Sequence, residues 1–422
     1  MDRKQQGLLV LAVASVAAAV GVLAVLYRQQ NKPVSPSISS PSASTPPPPP
    51  SSTSTSGRPS AFLLRSQSFD FHCEIPSIRN AMFCKIARDY CPELFDGQTD
   101  AQISIDQIRG GITNLLWKLS NDRGRSILVR AYGENTEVLI DRELECSILQ
   151  ELSDLHFAPK LYGLFANGRV EEFLDDAKPF EPSYQMGERS PVDFPVLIAK
   201  ELHKMHSITQ IKSIPVSQTS TPQLWPLLKK FHALVAQVDL PRVELLELDQ
   251  FAKELEWLQT VLPSPKSKFL DISNQAKQIA FRNVFAHNDL LGGNVLYLAK
   301  ENRVQFIDFE YGAFNYAAFD VANHFCEYAG FDFDLKRWYP GFEAQQVFWR
   351  AYVGEEADVS DEVIAELVHW TNKFALAANA LWFLWAVYQA KHSKIHNVDF
   401  FAFAQRRRQG YFDQKHEFFG HN

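Results

Sequence analysis

With 422 residues, 46% of them hydrophobic and 22% charged, the chain has the composition of a globular protein with material for two or three domains. A formal charge of −7 argues against the basic stripe of a nucleic-acid binder, so no nucleic-acid partner is expected. The cysteines (Cys73, Cys84, Cys91, Cys146 and Cys326) are odd in number and include no C-x-x-C pair, which points to reduced thiols rather than a disulfide framework or a zinc site.

Residues 8–27 form an apolar run broken only by Ser15 and Gly21, enough to cross a bilayer of roughly 30 Å as a helix. Arg3 and Lys4 precede it and Arg28 and Lys32 follow, so the charge flanks leave its orientation open. A cleaved signal peptide is the rival, although its apolar part is usually about 7–15 residues long. The expectation is therefore a membrane anchor over 1–28. Residues 29–60 are Ser, Thr and Pro with few apolar side chains, including an unbroken proline run at 46–50, and are expected to be a disordered or polyproline linker.

Beyond the linker, residues 127–130 and 138–140 read as strands, about 142–155 as a helix and 168–174 as a further strand. From about Asp193 helical patterns dominate, interrupted by 295–298 and 304–307, which look like a hairpin around 300–303. The run 374–388 is apolar, but it is short for a span, carries Asn379 and lies between Lys373 and Lys391, so a buried helix is expected there. The expected class is α+β, with a small β-rich lobe at 61–175 and a large helical lobe at 176–422, behind the anchor. That is the layout of protein-kinase-like enzymes.

The segment His287-Asn288-Asp289-Leu290-Leu291-Gly292-Gly293-Asn294 has the spacing of a kinase catalytic loop, H-x-D-x-x-x-x-N. Such chemistry needs a carboxylate to orient the acceptor hydroxyl and an amide oxygen to reach a Mg²⁺ ion a few ångströms away; one rigid loop fixes that separation. Shortly afterwards an apolar strand ends in Ile307-Asp308-Phe309-Glu310, where kinases place their main metal ligand. Upstream, Arg109-Gly110-Gly111-Ile112-Thr113-Asn114 suits a glycine loop over nucleotide phosphates, with a plain turn as the alternative. Arg130 ends a strand where kinases carry the phosphate-pairing lysine, and Glu145 on the following helix is placed to pair with it. His287 and His324 are expected to brace the loop, and His203 and His206 to be satisfied within an amphipathic helix.

The segments 112–114, 128–133, 158–162, 287–294, 307–311, 314–327, 374–377 and 381–385, in this order, resemble the choline/ethanolamine kinase family over about residues 100–412. Aminoglycoside phosphotransferases share the loop but not Asn323-His324-Phe325-Cys326-Glu327 or the tryptophan pair. The resemblance implies that Asp289 is the catalytic base and that Asn294 and Asp308 hold Mg²⁺. Gly110, Gly111, Asn114, Arg130, Glu145 and Glu172 would serve ATP, with Glu172 near the adenine. Tyr311, Glu327, Trp382 and Trp385 would form the amine pocket, and a cationic amine does suit carboxylates and aromatic faces, the latter worth about 0.5–2 kcal/mol each. Trp382 and Trp385, three apart, share one helix face.

Leu290-Leu291, where choline-preferring members tend to carry a glutamine, and Phe403, where an acceptor-facing tyrosine is common, lean toward ethanolamine. The expected activity is ATP-dependent phosphorylation of ethanolamine to phosphoethanolamine, the first step of the CDP-ethanolamine route to phosphatidylethanolamine. Choline or dual specificity is the alternative, and a catalytically silent, membrane-tethered binding protein on the same fold is the second. The resemblance leaves room for a homodimer. Because ATP and Mg²⁺ are cytosolic supplies, the anchor is expected to hold everything from Arg28 onward on the cytosolic side of a membrane.

Overall fold

The structure is a computed structural model. It describes residues 63–420 except 72, 109–113, 133–140, 180–191, 266–273, 355–356 and 394–397. The expected anchor (8–27), linker, glycine-loop residues 109–113 and strand at 138–140 lie outside the described residues.

The chain begins with β1 (Leu63–Leu64) and α1 (Pro76–Tyr90), then β2 (Ser104–Ile108), β3 (Asn114–Ser120), β4 (Ser126–Tyr132), α2 (Arg142–Asp154), β5 (Leu161–Phe165) and β6 (Gly168–Glu172). The strands make one six-stranded sheet of order β1-β5-β6-β4-β3-β2, antiparallel except for the β1–β5 pair. Strand β3 alternates in burial, as a sheet with one covered face requires. On that face Phe71 stacks on Trp117 (centroids 5.1 Å apart), and Phe83 of α1 meets the same indole at 4.9 Å. Ile127, Val129 and Val170 complete this small core.

The chain then crosses through β7 (Ala177–Pro179) to the larger lobe. There α3 (Phe194–His206), α4 (Leu224–Val235), α5 (Leu248–Val261) and α6 (Gln275–Ala280) precede β8 (Asn283–Ala286), β9 (Val295–Leu298), β10 (Arg303–Phe306) and β11 (Ala313–Tyr316). Helices α7 (Ala317–Glu327), α8 (Phe342–Val353), α9 (Asp361–His392) and α10 (Phe400–Phe419) finish it. The 295–298/304–307 hairpin expected from sequence is present as β9–β10, and β7 adds to its edge as a third strand. Strand β8 pairs instead with β11, bringing the ends of two loops side by side.

Helix α9 is the axis of the large core. Its sequence is apolar on nearly all sides between Leu367 and Val387, which suits a helix wrapped by others. Ser360 caps its start, and Trp349 of α8 donates to Thr371 at 3.0 Å. The apolar stretch 374–388 lies within α9 and is buried against α4, α6, α7 and α10, as the sequence suggested. One face of α2 (Ile148, Leu149 and Leu152) joins this core rather than the small one.

The two-lobed α+β arrangement therefore stands, but the membrane-anchored version of it is corrected. Among the described residues no helix is long and apolar enough to cross a membrane. The hydropathy of 8–27 had suggested a span, and nothing described gives that segment a spanning helix or the domain a membrane-held location.

Gly168 opens β6 where any Cβ would collide with the Arg130 carbonyl and the Phe165 ring. Replacing it with alanine must displace a strand that carries the site's charged residues. Gly168→Ala should cost about 1–3 kcal/mol and lower Tm accordingly, read by thermal denaturation.

Candidate active site

The site is built on the turn after β8. Asn288 adopts φ +62°, which asparagine tolerates better than most residues, and its side chain closes the turn. The Asn288 amide donates to the carbonyl of Tyr311 at 2.9 Å and accepts from Asn315 at 2.8 Å. The loop's own N–H groups end on Asp320, at the start of α7. One carboxylate oxygen accepts from His287 N (2.8 Å) and the other from Asn288 N (2.7 Å). His206 Nε2 donates to the same carboxylate at 2.9 Å.

The expected braces are in place. His287 Nε2 donates to the Ile307 carbonyl at 3.0 Å, tying the loop to the Asp308 turn, and His324 Nδ1 donates to the Leu290 carbonyl at 2.7 Å. Burial lowers the pKa of both histidines, that of His324 to about 4, so both are neutral. His206 is satisfied, as expected, by Asp320 and Tyr352, whereas the buried Nδ1 of His203, also expected to be satisfied, has no hydrogen-bond partner among the described residues.

Asp289 is completely buried, and its Oδ1 has no hydrogen-bond partner among the described residues. Asn294 Nδ2 donates to the Asp289 carbonyl at 2.9 Å and approaches its carboxylate at 3.4 Å, leaving the amide oxygen of Asn294 for another partner. Asp308, held at φ +65°, stands on the next turn, where Ile307 N donates to the Asn294 carbonyl at 3.0 Å. Burial pushes the Asp289 carboxyl well above the usual range, with Glu327 and Asp308 adding to the effect.

Carboxylate oxygens of Glu145, Asp308 and Glu310 lie within 4.8 Å of one another. Glu145 is already engaged by two arginines, whereas Asp308 Oδ1 and Glu310 Oε1 accept no hydrogen bond among the described residues. Hard oxygen donors free of hydrogen bonds, such as these, fit a Mg²⁺ ion. Glu310 was missed in the sequence, where it reads as the residue following Asp-Phe.

The pairing expected between Arg130 and Glu145 does not occur. Arg130 contacts Glu171 at 3.2 Å and Asp308 at 3.6 Å, while Glu145 binds Arg169 at 2.6 Å and Arg142 at 2.8 Å. The reason lies in the register. Arg130 of β4 faces Arg169 of β6, and two like charges directly opposite must be separated by acids. Glu171 supplies one, meeting both guanidinium groups, and Glu145 the other. Neither Arg169 nor Glu171 was singled out in the sequence, because cross-strand register is not readable there.

Asn114 sits at the start of β3, with its Oδ1 buried and unpartnered among the described residues. Glu172 ends β6, accepts from Lys160 N at 3.2 Å and lines an interlobe groove with Ser126, Phe173, Leu174 and Leu298.

Tyr311, a neighbour of Asp289, forms a continuous aromatic wall with Trp382 and Trp385, with centroid separations of 5.4 Å and 5.5 Å. Trp382 Nε1 donates to Asn323 (2.6 Å), which in turn donates to the Asn288 carbonyl (3.0 Å), so the wall and the loop are linked. The Tyr311 hydroxyl and Trp385 Nε1 are buried without hydrogen-bond partners among the described residues. Glu327, at the end of α7, is paired with Arg407 of α10, a residue the sequence hid within Arg406-Arg407-Arg408.

The sequence model of the choline/ethanolamine kinase family matches residues 105–412. A probable ethanolamine kinase of Arabidopsis thaliana is 36% identical over 324 residues, covering 73% of this chain and 79% of its own. Ethanolamine kinase 2 of Homo sapiens is 35% identical over 325 residues, covering 74% and 76%. Among solved structures, Plasmodium vivax ethanolamine kinase superposes with a TM-score of 0.65 at 26% identity, over 80% of this chain and 89% of its own. Choline kinase from Cryptosporidium parvum, at 24% identity and a TM-score of 0.68 over 80% and 96%, shares the fold.

Two outcomes follow from the site's electrostatics. Burial, Glu327 and Asp308 disfavour the charged form of Asp289, so Asp289→Asn, which cannot carry that charge, should raise Tm in Mg²⁺-free buffer, measured by calorimetry. His324 takes up a proton near pH 4 when folded but near 6.5 when unfolded, so the unfolded chain gains protons first as pH falls. Its stabilising contribution is complete above about pH 6.5 and declines below it by up to about 1.4 kcal/mol per pH unit. The stability gap between the native protein and His324→Gln should therefore narrow between pH 6.5 and pH 4 in denaturant titrations.

Proposed function

Since the chain belongs to the choline/ethanolamine kinase family, we infer that it is an ethanolamine kinase, transferring a phosphoryl group from ATP to the hydroxyl of ethanolamine. One observation carries the residue assignment. Asp289 is a buried carboxylate with an unsatisfied oxygen, and Asp308 and Glu310, whose oxygens also lack hydrogen bonds among the described residues, and the ring of Tyr311 are its neighbours.

Asp289 Oδ1 accepts a hydrogen bond from the substrate hydroxyl and aims that oxygen at the phosphoryl group for in-line attack. Its burial fixes the direction of the carboxylate, and the loop braces keep it there. Asn294, Asp308 and Glu310 would hold Mg²⁺, which supplies charge neutralisation on the phosphates when bound. Arg130, kept in place by Glu171, directs a guanidinium toward Asp308 and the phosphates beside it. Asn114, Glu172 and the glycines at 110 and 111 belong to the nucleotide side. Glu145 acts through Arg169 and Arg142, orienting the charged strand rather than meeting the nucleotide.

The substrate ammonium lies against Tyr311, Trp382 and Trp385, with Glu327 as its counter-charge. Relatives named ethanolamine kinase at 33–36% identity support ethanolamine as the acceptor, and so does the apolar Leu290-Leu291 pair after Asp289. The product, phosphoethanolamine, would enter phosphatidylethanolamine synthesis.

The test is the ratio of kcat/KM for ethanolamine and choline with ATP and Mg²⁺. A preference for ethanolamine of about tenfold or more is expected. A comparable preference for choline would reassign the acceptor, and no amine-dependent ATP consumption would overturn the activity. Asp289→Ala should lower kcat by about 10²-fold or more, and chelation of divalent cations should abolish turnover.

A further inference from the structure

Arg407 is 1% exposed, and a guanidinium buried to that extent in the interior of a lobe must be paired and hydrogen-bonded. Its Nη2 donates to Glu327 Oε1 at 2.5 Å, and its Nη1 donates to Asn379 Oδ1 of α9 at 3.3 Å. Asn379 is fixed in turn by donating to Gln414 Oε1 at 2.7 Å. The guanidinium carbon lies over two aromatic rings, 4.1 Å from the centroid of Phe333 and 5.0 Å from that of Phe403, and Nε is left without a hydrogen-bond partner among the described residues.

The surroundings are arranged around this contact. Phe333 adopts φ +53°, a strained conformation for an aromatic residue. Gly410 lies three residues after Arg407 on the same helix face, and a Cβ there would press on Phe333 at 2.6 Å and on Leu335 at 2.7 Å. The helix and the Phe333 turn thus approach closely only because position 410 has no side chain. Together they clamp one guanidinium so that it points at one carboxylate oxygen.

The other oxygen of that carboxylate is left over. Glu327 is 9% exposed, and its Oε2 makes no hydrogen bond among the described residues. Glu327 and Asp289 place two acids beside the pocket, while a substrate ammonium brings one positive charge. With Arg407 in place the loaded pocket is balanced; without it, Glu327 would be buried and uncompensated before substrate arrives.

We propose that Arg407 is a positioning residue for the amine, clamped by Phe333 and Phe403, which fixes Glu327 Oε1 and presents Oε2 to the substrate ammonium. This rests on the assignment of Glu327 to the amine pocket. It makes the last helix, far from the catalytic loop in sequence, a determinant of acceptor affinity.

The experiment compares Arg407→Leu, Arg407→Lys, Glu327→Gln and the double variant Glu327→Gln/Arg407→Leu in the full chain. KM is measured separately for ethanolamine and ATP. Arg407→Leu should raise the ethanolamine KM about tenfold or more while kcat changes less than about threefold and the ATP KM stays within about twofold, the pattern of lost binding. Arg407→Lys keeps the charge but not the planar fork, and should recover part of the affinity. In the Glu327→Gln background Arg407→Leu should add less than about twofold, since no carboxylate remains to be held.

An unchanged ethanolamine KM in Arg407→Leu, an equal rise for both substrates, or a full additional factor on top of Glu327→Gln overturns the role of Arg407 alone. An unchanged ethanolamine KM in Glu327→Gln overturns the amine-pocket assignment, and the role of Arg407 with it. Should Arg407→Leu not fold, Phe333→Leu loosens the clamp without removing the charge and should show the same split at about threefold. Its absence in a folded Phe333→Leu protein counts against the proposal.

Discussion

The geometry of the site depends on a single buried carboxylate. Asp320 accepts two successive loop N–H groups, and without it these donors would face the interior of α7 unsatisfied. Burial alone would push this carboxyl up; the hydrogen bonds it accepts from His206 and from the His287 N–H hold it below its ordinary value instead. Behind His206 the chain of donors continues. Arg282 donates to the Tyr352 hydroxyl at 3.0 Å, Tyr352 donates to His206 Nδ1 at 2.8 Å, and His206 Nε2 donates to Asp320. Each bond polarises the next, so a surface-side arginine stabilises a negative charge at the centre of the lobe. The left-handed turn at Asn288 and the direction of Asp289 follow from that anchor.

Around this fixed point the charges are sorted. Toward the sheet, Arg130, Arg169 and Arg142 alternate with Glu171 and Glu145, a network in which each carboxylate meets two guanidinium groups. Toward α10, Glu327 and Arg407 form a second closed pair. Between them Asp289, Asp308 and Glu310 keep oxygens that accept no hydrogen bond among the described residues, that of Asp308 facing Arg130 at 3.6 Å. Burial raises the pKa of Glu310, with Asp308 beside it contributing, much as at Asp289. A stability-optimised core would neutralise these acids. Residues whose pKa is raised by burial and by neighbouring acids in this way concentrate at functional sites.

The aromatic wall shows how core packing and the loop's hydrogen bonds share residues. Trp382 and Trp385 belong to the large hydrophobic core, and Trp382 is also linked through Asn323 to the loop backbone. A tryptophan fixed on both counts has its ring orientation set on folding.

The sequence alone determined what depends on short spacing and period. The loop from His287 to Asn294, the Asp308 turn, the β9–β10 hairpin and the buried character of 374–388 were all legible, because each is set by residues close along the chain. Hydropathy over 8–27 suggested a membrane span by the same local logic, and no described helix supports one. Only the tertiary structure decided which charges meet. The register that sets Arg130 opposite Arg169 redirected Glu145, α7 carried Asp320 under the loop, and the return of α10 brought Arg407 onto Glu327. Ion pairs form between side chains that folding brings within a few ångströms. One-dimensional spacing fixes that distance within a turn or a helix face, and across lobes it leaves it open.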